Sequence, residues 1–502
     1  MSPLLFLIGI TESRKGFFMK RKMKRSERAA VYEKIKTAII CLLCAGCVYF
    51  TYKVVDLQYK PLSTGSSFWN SSNQNAQSTG GDTSAENTLV SFLEYSKPEL
   101  IMINRGENRG VLNSDKDGYA KTIDFINKAM QSTHSSAASV SRVSREAVWK
   151  GLLRSNSIYV RFPCARPTAF SAQFFRAKDS AFARNAETYS QALLVPDSTS
   201  GKVCVFIPPD DGDDEILKIT TENFAETLSE IINSLEYIDK KEYAYACELN
   251  LDKTANSDGA VLDPMLVIPL DKIYSKTVKA DVPWEYKQGM SFTQTTEFTM
   301  RLLNVFQYNP NTIRQYADKD GALMFVSGKG TIGVHPDGMI EYKALDETEG
   351  LALTASGQNK ADDFYAPVSE LMDILNKITE GCGAKGESTA GELKFSEIPL
   401  QKGDSREMKV CFDYFVDGVR VQLPDGYAVE AVIKNGTLMQ LKVWIKTFEK
   451  TDNDYEDRAV VDAIDEYCAA VQSVKRISRA ELQYKFAEDG AEINADWNIK
   501  GE

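Results

Sequence analysis

A chain of 502 residues has material for two to four cores of ordinary size, and its charge is unevenly spread. Residues 1–55 hold eleven basic and three acidic side chains, and the remainder holds 48 against 67, a balance of −19. That acidic remainder excludes a nucleic-acid-binding surface and a tight dock on an anionic one, since both need a basic footprint.

Residues 1–18 include a short apolar run, too short to span a bilayer, and Met19 or Met23 suits the true start equally well. Residues 1–36 carry ten Lys and Arg against Glu12, Glu27 and Glu33. Thr37–Tyr52 (TAIICLLCAGCVYFTY) is uncharged and bounded by Lys36 and Lys53. At about 1.5 Å per residue it reaches roughly 24 Å, and the flanking lysines can snorkel to the headgroups. Tyr49, Phe50 and Tyr52 fall where interfacial aromatics belong. The run predicts one transmembrane helix over 37–55, with the basic 1–36 segment cytoplasmic and everything after Lys53 outside. Ala45-Gly46-Cys47 imitates a lipoprotein cleavage site, but Cys44 stands where an aliphatic residue belongs, so an uncleaved anchor is the better reading.

Residues 56–88 are rich in Ser, Asn, Gly and Thr and read as a flexible tether. A first α+β domain is expected over 89–289. It has a strand at Glu99–Asn104, a helix at Gly118–Met130, and a helix capped by Ser144 that turns Val148, Leu152 and Leu153 inward. A strand at Ile158–Phe162, another at Lys202–Ile207 and a helix at Asn223–Leu235 follow.

The second domain, 290–391, opens on an amphipathic helix marked by Phe298, Leu302, Leu303 and Phe306. Strands at Ala322–Val326, Thr331–Val334 and Met339–Tyr342 precede a helix at Ala361–Ile378. The third, 392–502, joins Lys409–Phe415 to Val419–Leu423 at Asp417-Gly418, and Ala428–Ile433 to Leu438–Ile445 at Asn435-Gly436. A helix at Asp457–Val471 presents Val460, Ile464, Cys468 and Val471. In the closing hairpin Leu482, Tyr484 and Phe486 alternate with polar residues, predicting one wet face and one packed face. Hairpins followed by one helix occur at both 320–380 and 408–472, the pattern of a duplicated module. The fold class is therefore α+β, with antiparallel sheets in several extracytoplasmic modules behind a single helical anchor and a tether.

Chemistry-bearing motifs are scarce. His134 falls in a polar QSTHSSAAS stretch and His335 precedes a Pro-Asp-Gly turn, neither beside a nucleophile motif. Gly328 to Gly333 satisfies GxGxxG, yet a strand and a turn follow it where a phosphate loop needs a helix, so it reads as a hairpin. Asp210–Glu215 lacks the spaced ligands of a calcium loop and reads as a solvated acidic stretch. Of nine cysteines, Cys41, Cys44 and Cys47 lie in the anchor and the other six show no CxxC spacing. Cys411 and Cys468 fall on apolar phases and read as core, as do Trp149, Trp444 and Trp497. No catalytic residue, cofactor site or metal site is assigned.

Three stretches carry a resemblance: VSREAVWKGLLRSNSIYVRFP, FTMRLLNVFQYNPNTIRQYADKDGALMFVSGKGTIGVHPDGMIEYKA and AELQYKFAEDGAEINADWNIK. With the basic N-terminus and single anchor, the chain resembles the YycH/YycI family of Gram-positive bacteria. The long tether, the first eighteen residues and the cysteine-rich anchor depart from that pattern. The resemblance implies a non-enzymatic regulator in the cell membrane. Its partners would be a sensor histidine kinase governing cell-wall metabolism and a paralogous YycI-like membrane protein. It also implies a helix interface, for which Leu42, Ala45, Gly46, Tyr49 and Lys53 are the candidates. Two rival readings stand beside it. One is an extracytoplasmic envelope-binding module that recognises wall polymer or peptide in a groove between modules. The other is a hydrolase using carboxylates brought together from distant positions.

Overall fold

The expected tether ends early. The computed structural model describes residues 83–177, 179–208, 215–253, 260–282, 297–353, 364–381, 391–401, 406–471 and 474–501. Helix α1 (Thr83–Tyr95) therefore begins inside the predicted 56–88 linker. Its polar first turns suggest a linker, but the C-terminal half is anchored, and an anchored turn supports the turns that precede it. Phe92 stacks on Phe174 with centroids 4.5 Å apart, and the Tyr95 hydroxyl donates to Asn376 Oδ1 at 2.8 Å. Thr37–Tyr52, with Leu42, Ala45, Gly46, Tyr49 and Lys53, lies outside the described residues, as do Asp210 to Asp214. Among the described residues no helix is long and apolar enough to cross a membrane.

Leu100 to Ile103 is apolar without interruption, and such a strand needs cover on both faces. β1 (Leu100–Arg105), β2 (Asn108–Val111), β3 (Ser139–Ser144), β4 (Ser157–Pro167), β5 (Thr188–Asp197), β6 (Lys202–Ile207) and β7 (Glu215–Thr220) form an antiparallel sheet in the order β2-β1-β4-β5-β6-β7-β3. Helices α2 (Tyr119–Thr133), α3 (Arg145–Leu153) and α4 (Ala225–Ser234) provide the cover. Ile101, Ile103, Val160 and Leu194 pack on Ile123 and Ile126 of α2 and Leu228 and Ile232 of α4. Met102, Tyr159, Leu193 and Phe206 pack on Trp149 and Leu153 of α3. Val148 and Leu152 are only half-buried, and Ser144 stands at the N-cap without a capping side-chain bond, so that helix is held by its packing and at its far end by Arg109, which donates to the Leu153 carbonyl at 2.7 Å. β8 (Tyr243–Tyr245), β9 (Val261–Leu262), β10 (Val267–Pro269) and β11 (Tyr274–Asp281) then lead toward the second half.

That half has the regular alternation its sequence predicts. After α5 (Glu297–Val305) come β12 (Arg314–Ala317), β13 (Leu323–Ser327), β14 (Gly330–Val334), β15 (Met339–Ala344) and β16 (Leu351–Ala352), then α6 (Ala366–Gly381) and β17 (Glu392–Glu397). β18 (Glu407–Val416), β19 (Val419–Gln422), β20 (Val429–Lys434), β21 (Thr437–Trp444) and β22 (Thr447–Glu456) precede α7 (Val460–Ala470). β23 (Arg476–Lys485), β24 (Glu492–Ile493) and β25 (Ala495–Gly501) close the chain. Ile340 and Tyr342 of β15 and Val429, Ala431 and Ile433 of β20 face a core shared with Leu302, Leu303 and Phe306 of α5 and Val368, Leu371 and Leu375 of α6.

β15 and β21 are hydrogen-bonded neighbours, so the 290–391 and 392–502 stretches share one sheet of thirteen described strands, to which the 89–289 stretch contributes β9 alongside β23. Asn435 and Gly436 turn β20 into β21 with φ of 51° and 74°, the mirror-image turn that matches strand twist. In α7, Val460, Ile464 and Cys468 point inward as expected; Val471 follows the helix end and is exposed.

Candidate functional site

The first sheet meets the large one through charge. Glu99, just before β1, accepts from Arg161 Nε of β4 at 2.6 Å and from Arg479 Nη2 of β23 at 2.5 Å. Arg479 Nε donates to Glu481 Oε2 at 2.7 Å, and Gln483 Nε2 donates to Glu481 Oε1 at 2.7 Å. Arg420 of β19 binds Asp413 Oδ2 at 2.8 Å and donates to the Pro163 carbonyl at 2.9 Å. The Glu99, Asp413 and Glu481 side chains are almost wholly buried.

Beside this network lies a cleft of about 390 Å³. Leu100, Val111 and Tyr243 line one side; Val419, Leu482 and Trp497 line the other. Glu99, Arg161, Arg420 and Glu481 supply a charged wall, and Asp115, Lys116, Tyr274, Asp417 and Asp454 stand around the rest. Two of those carboxylates are already paired, Asp417 with Lys450 at 2.8 Å and Asp454 with Lys276 at 2.9 Å.

The electrostatics oppose acid–base work here. Burial by itself would raise the Glu481 carboxyl, but Arg479, Arg420, Lys500 and Arg161 outweigh it and hold the group down at about 2. Burial raises the Asp413 carboxyl, against the pull of Arg420 and of the Ser396 hydroxyl. Paired-carboxylate hydrolysis needs one carboxyl protonated near neutrality and a second free to attack or to activate water. Glu99 and Glu481 are instead clamped by the same guanidinium, and Asp413 is tied to Arg420.

The other sequence candidates are not brought to this cleft. His134 is not in a solvated loop: it follows the last turn of α2 and is 2 % exposed. Its Nδ1 lies 2.9 Å from Ser180 Oγ, and its Nε2 is buried without a partner among the described residues. Burial lowers its pKa to about 4. Among the described residues no carboxylate completes a triad, and Ser180 Oγ also accepts from the Ala183 amide at 3.2 Å as a helix cap.

His335 Nε2 lies 3.6 Å from Glu341 in the β14–β15 hairpin. The GxGxxG stretch is the β13–β14 hairpin, as its sequence context predicts. Gly330 there has φ of 147°, and a Cβ on it would meet the Lys343 carbonyl oxygen at 2.2 Å. Cys411 and Cys468 are buried, as are Cys164, Cys204 and Cys247, and Trp149, Trp444 and Trp497 are core. Among the described residues no group of His, Cys, Asp or Glu is arranged to hold a metal ion.

The charged network is what sequence reading misses. The closing strand alternates as expected, but its polar face is not wet, since Glu481 and Gln483 are 6 % and 3 % exposed. The available signal was weak: a single acid before an apolar run at Glu99 and a single base inside one at Arg161.

No family model matches the chain, and no curated protein matches it. Among solved structures, the crystal structure of YycH from Bacillus subtilis is similar, with a TM-score of 0.51 and 13% identity, covering 82% of this chain and 95% of that one. The α+β architecture built here, with its antiparallel-rich sheets, is a YycH-like fold.

Proposed function

We propose that the protein is a non-enzymatic, single-pass membrane regulator that binds a sensor histidine kinase controlling cell-wall metabolism. A YycI-like paralogue is its second partner. The carrying observation is the YycH-like fold, which spans 95% of the YycH chain. The clamped carboxylates of the cleft support a binding role over a hydrolytic one. The basic residues 1–36 and the apolar run Thr37–Tyr52 support a cytoplasmic N-terminus and an anchor. In this reading Leu42, Ala45, Gly46, Tyr49 and Lys53 form the helix face toward the kinase. A partner that binds two kinase states unequally shifts their populations by its difference in affinity.

Crosslinking and affinity purification of the full chain from its own membranes tests this, beside a variant whose Thr37–Tyr52 is replaced by poly-Leu. Kinase recovered only with the native helix supports the reading and its membrane interface. Recovery with both moves the interface to the folded body, and recovery with neither removes the reading. The cleft favours the second reading, an envelope-binding module for wall polymer or peptide, because its volume falls in the range of small-ligand sites.

A further inference from the structure

We infer that the cleft between the two sheets binds short peptides through their free termini. This rests on the binding-module reading and is independent of any kinase.

The apolar residues facing each other across the cleft, Leu100 and Tyr243 against Val419 and Leu482, are all half-buried, so the sheets approach without closing on one another. The charged wall beside them is already balanced, because each arginine is matched to a buried carboxylate. Such a wall does not attract a polyanion, and it would be left desolvated against a lipid tail. It does offer fixed dipoles to amide groups. The Tyr243 hydroxyl makes no hydrogen bond among the described residues, which leaves a donor on the apolar side.

At the lip, the turn before α2 presents Asp115 and Lys116, both exposed and neither in an ion pair among the described residues. One unspent carboxylate beside one unspent ammonium matches a zwitterion: Asp115 receives the peptide ammonium and Lys116 the carboxylate. A glycan is the rival occupant: Trp497 is 8 % exposed with its indole N–H donated to the Arg458 carbonyl at 2.8 Å, but Tyr274 of the same cleft is 59 % exposed and offers a stacking face, so a disaccharide is run as the competing probe.

The test immobilises the full chain in detergent and passes a randomised pool of tripeptides with free termini over it. The same pool acetylated and amidated, and a chitin disaccharide, are run alongside, and retained molecules are read by mass spectrometry. Expected is retention of free tripeptides, at least tenfold weaker for the capped pool and for the D115N/K116Q variant. Retention disappears in Asn113→Trp, whose indole fills the mouth from an exposed turn. Should Asn113→Trp melt at a lower temperature than the parent, the charge variant decides. Retention of no tripeptide, equal retention of the capped pool, or equal retention by D115N/K116Q overturns the inference. Disaccharide retained in place of peptide also overturns it while leaving the binding-module reading standing.

Discussion

Arg479 and Glu99 are 380 positions apart in the chain, and their side chains meet at 2.5 Å. The contact fastens β23 of the large sheet to the entry of β1 in the first. Removing Arg479 leaves Glu99 to Arg161 and takes from the buried Glu481 the guanidinium that is hydrogen-bonded to it, and a buried charge stripped of its partner costs more than the pair contributes. Arg479→Met is therefore expected to destabilise the protein by about 3–5 kcal/mol. Urea unfolding measures it, and a loss under about 1 kcal/mol would class the cluster with exposed ion pairs.

Acid should loosen the same junction. The Glu481 carboxyl is held below its ordinary 4.5 by the arginines that outweigh its burial, so in this range the unfolded chain binds protons that the folded one does not. Its contribution is complete above pH 4.5 and fades as pH falls toward the depressed value, by a few kcal/mol in all. Urea midpoints between pH 5 and 3 should fall more steeply for the parent than for Glu481→Gln. Parallel slopes would contradict the assignment.

A second acid-sensitive group works at higher pH. His134 is buried as the neutral ring and takes its proton only near pH 4, against 6.5 when exposed. Stability should therefore fall as pH drops from 6.5 to 4, by roughly 3 kcal/mol. His134→Gln should flatten the profile in that window and leave the Glu481 region unchanged. A profile identical to the parent's would place His134 in water.

Gly330→Ala should be destabilising by on the order of 2–3 kcal/mol, since the β13–β14 turn needs φ of 147° there and the new Cβ collides with the Lys343 carbonyl. Thermal melting reads this directly. An unchanged melting temperature would mean that the hairpin pairs in another register.

Thiol labelling should separate folded from unfolded chains sharply. Cys164, Cys204, Cys247, Cys411 and Cys468 are buried, and burial pushes the Cys164 thiol up to about 11 and the Cys247 thiol up to about 12. Iodoacetamide followed by peptide mapping should leave these five unmodified in the native protein and modify all five in urea. Modification of any of them without denaturant would show that its segment opens.

Much of the fold was legible because it follows from period. The two-residue alternation in β15 and β20, the 3.6-residue spacing of Leu302, Leu303 and Phe306, and the Asn435-Gly436 turn each report local geometry. What covers a face is not local. Glu481 and Gln483 have the spacing of a solvated edge, yet both are buried on the strand whose Arg479 reaches Glu99 from the other end of the chain. His134 misleads for the same reason: its neighbours in sequence are polar, while its neighbours in space are Phe175 and Phe182. The start of α1 was hidden in a linker-like composition because the docking of Phe92 and Tyr95, not helix propensity, sustains it.

The 380-residue separation of Glu99 and Arg479 also sets a timetable. At ribosomal rates of about 5–20 residues per second, roughly 20 to 80 s pass between the synthesis of one and the other. For most of that interval, until Arg420 is made, the first sheet, covered on both faces by its own helices and loops, has to stand alone with Glu99 and Arg161 paired to each other. The final junction is a late event in the life of each molecule, and a chain stopped short of β23 would display a charged, unfinished flank to whatever quality control it meets.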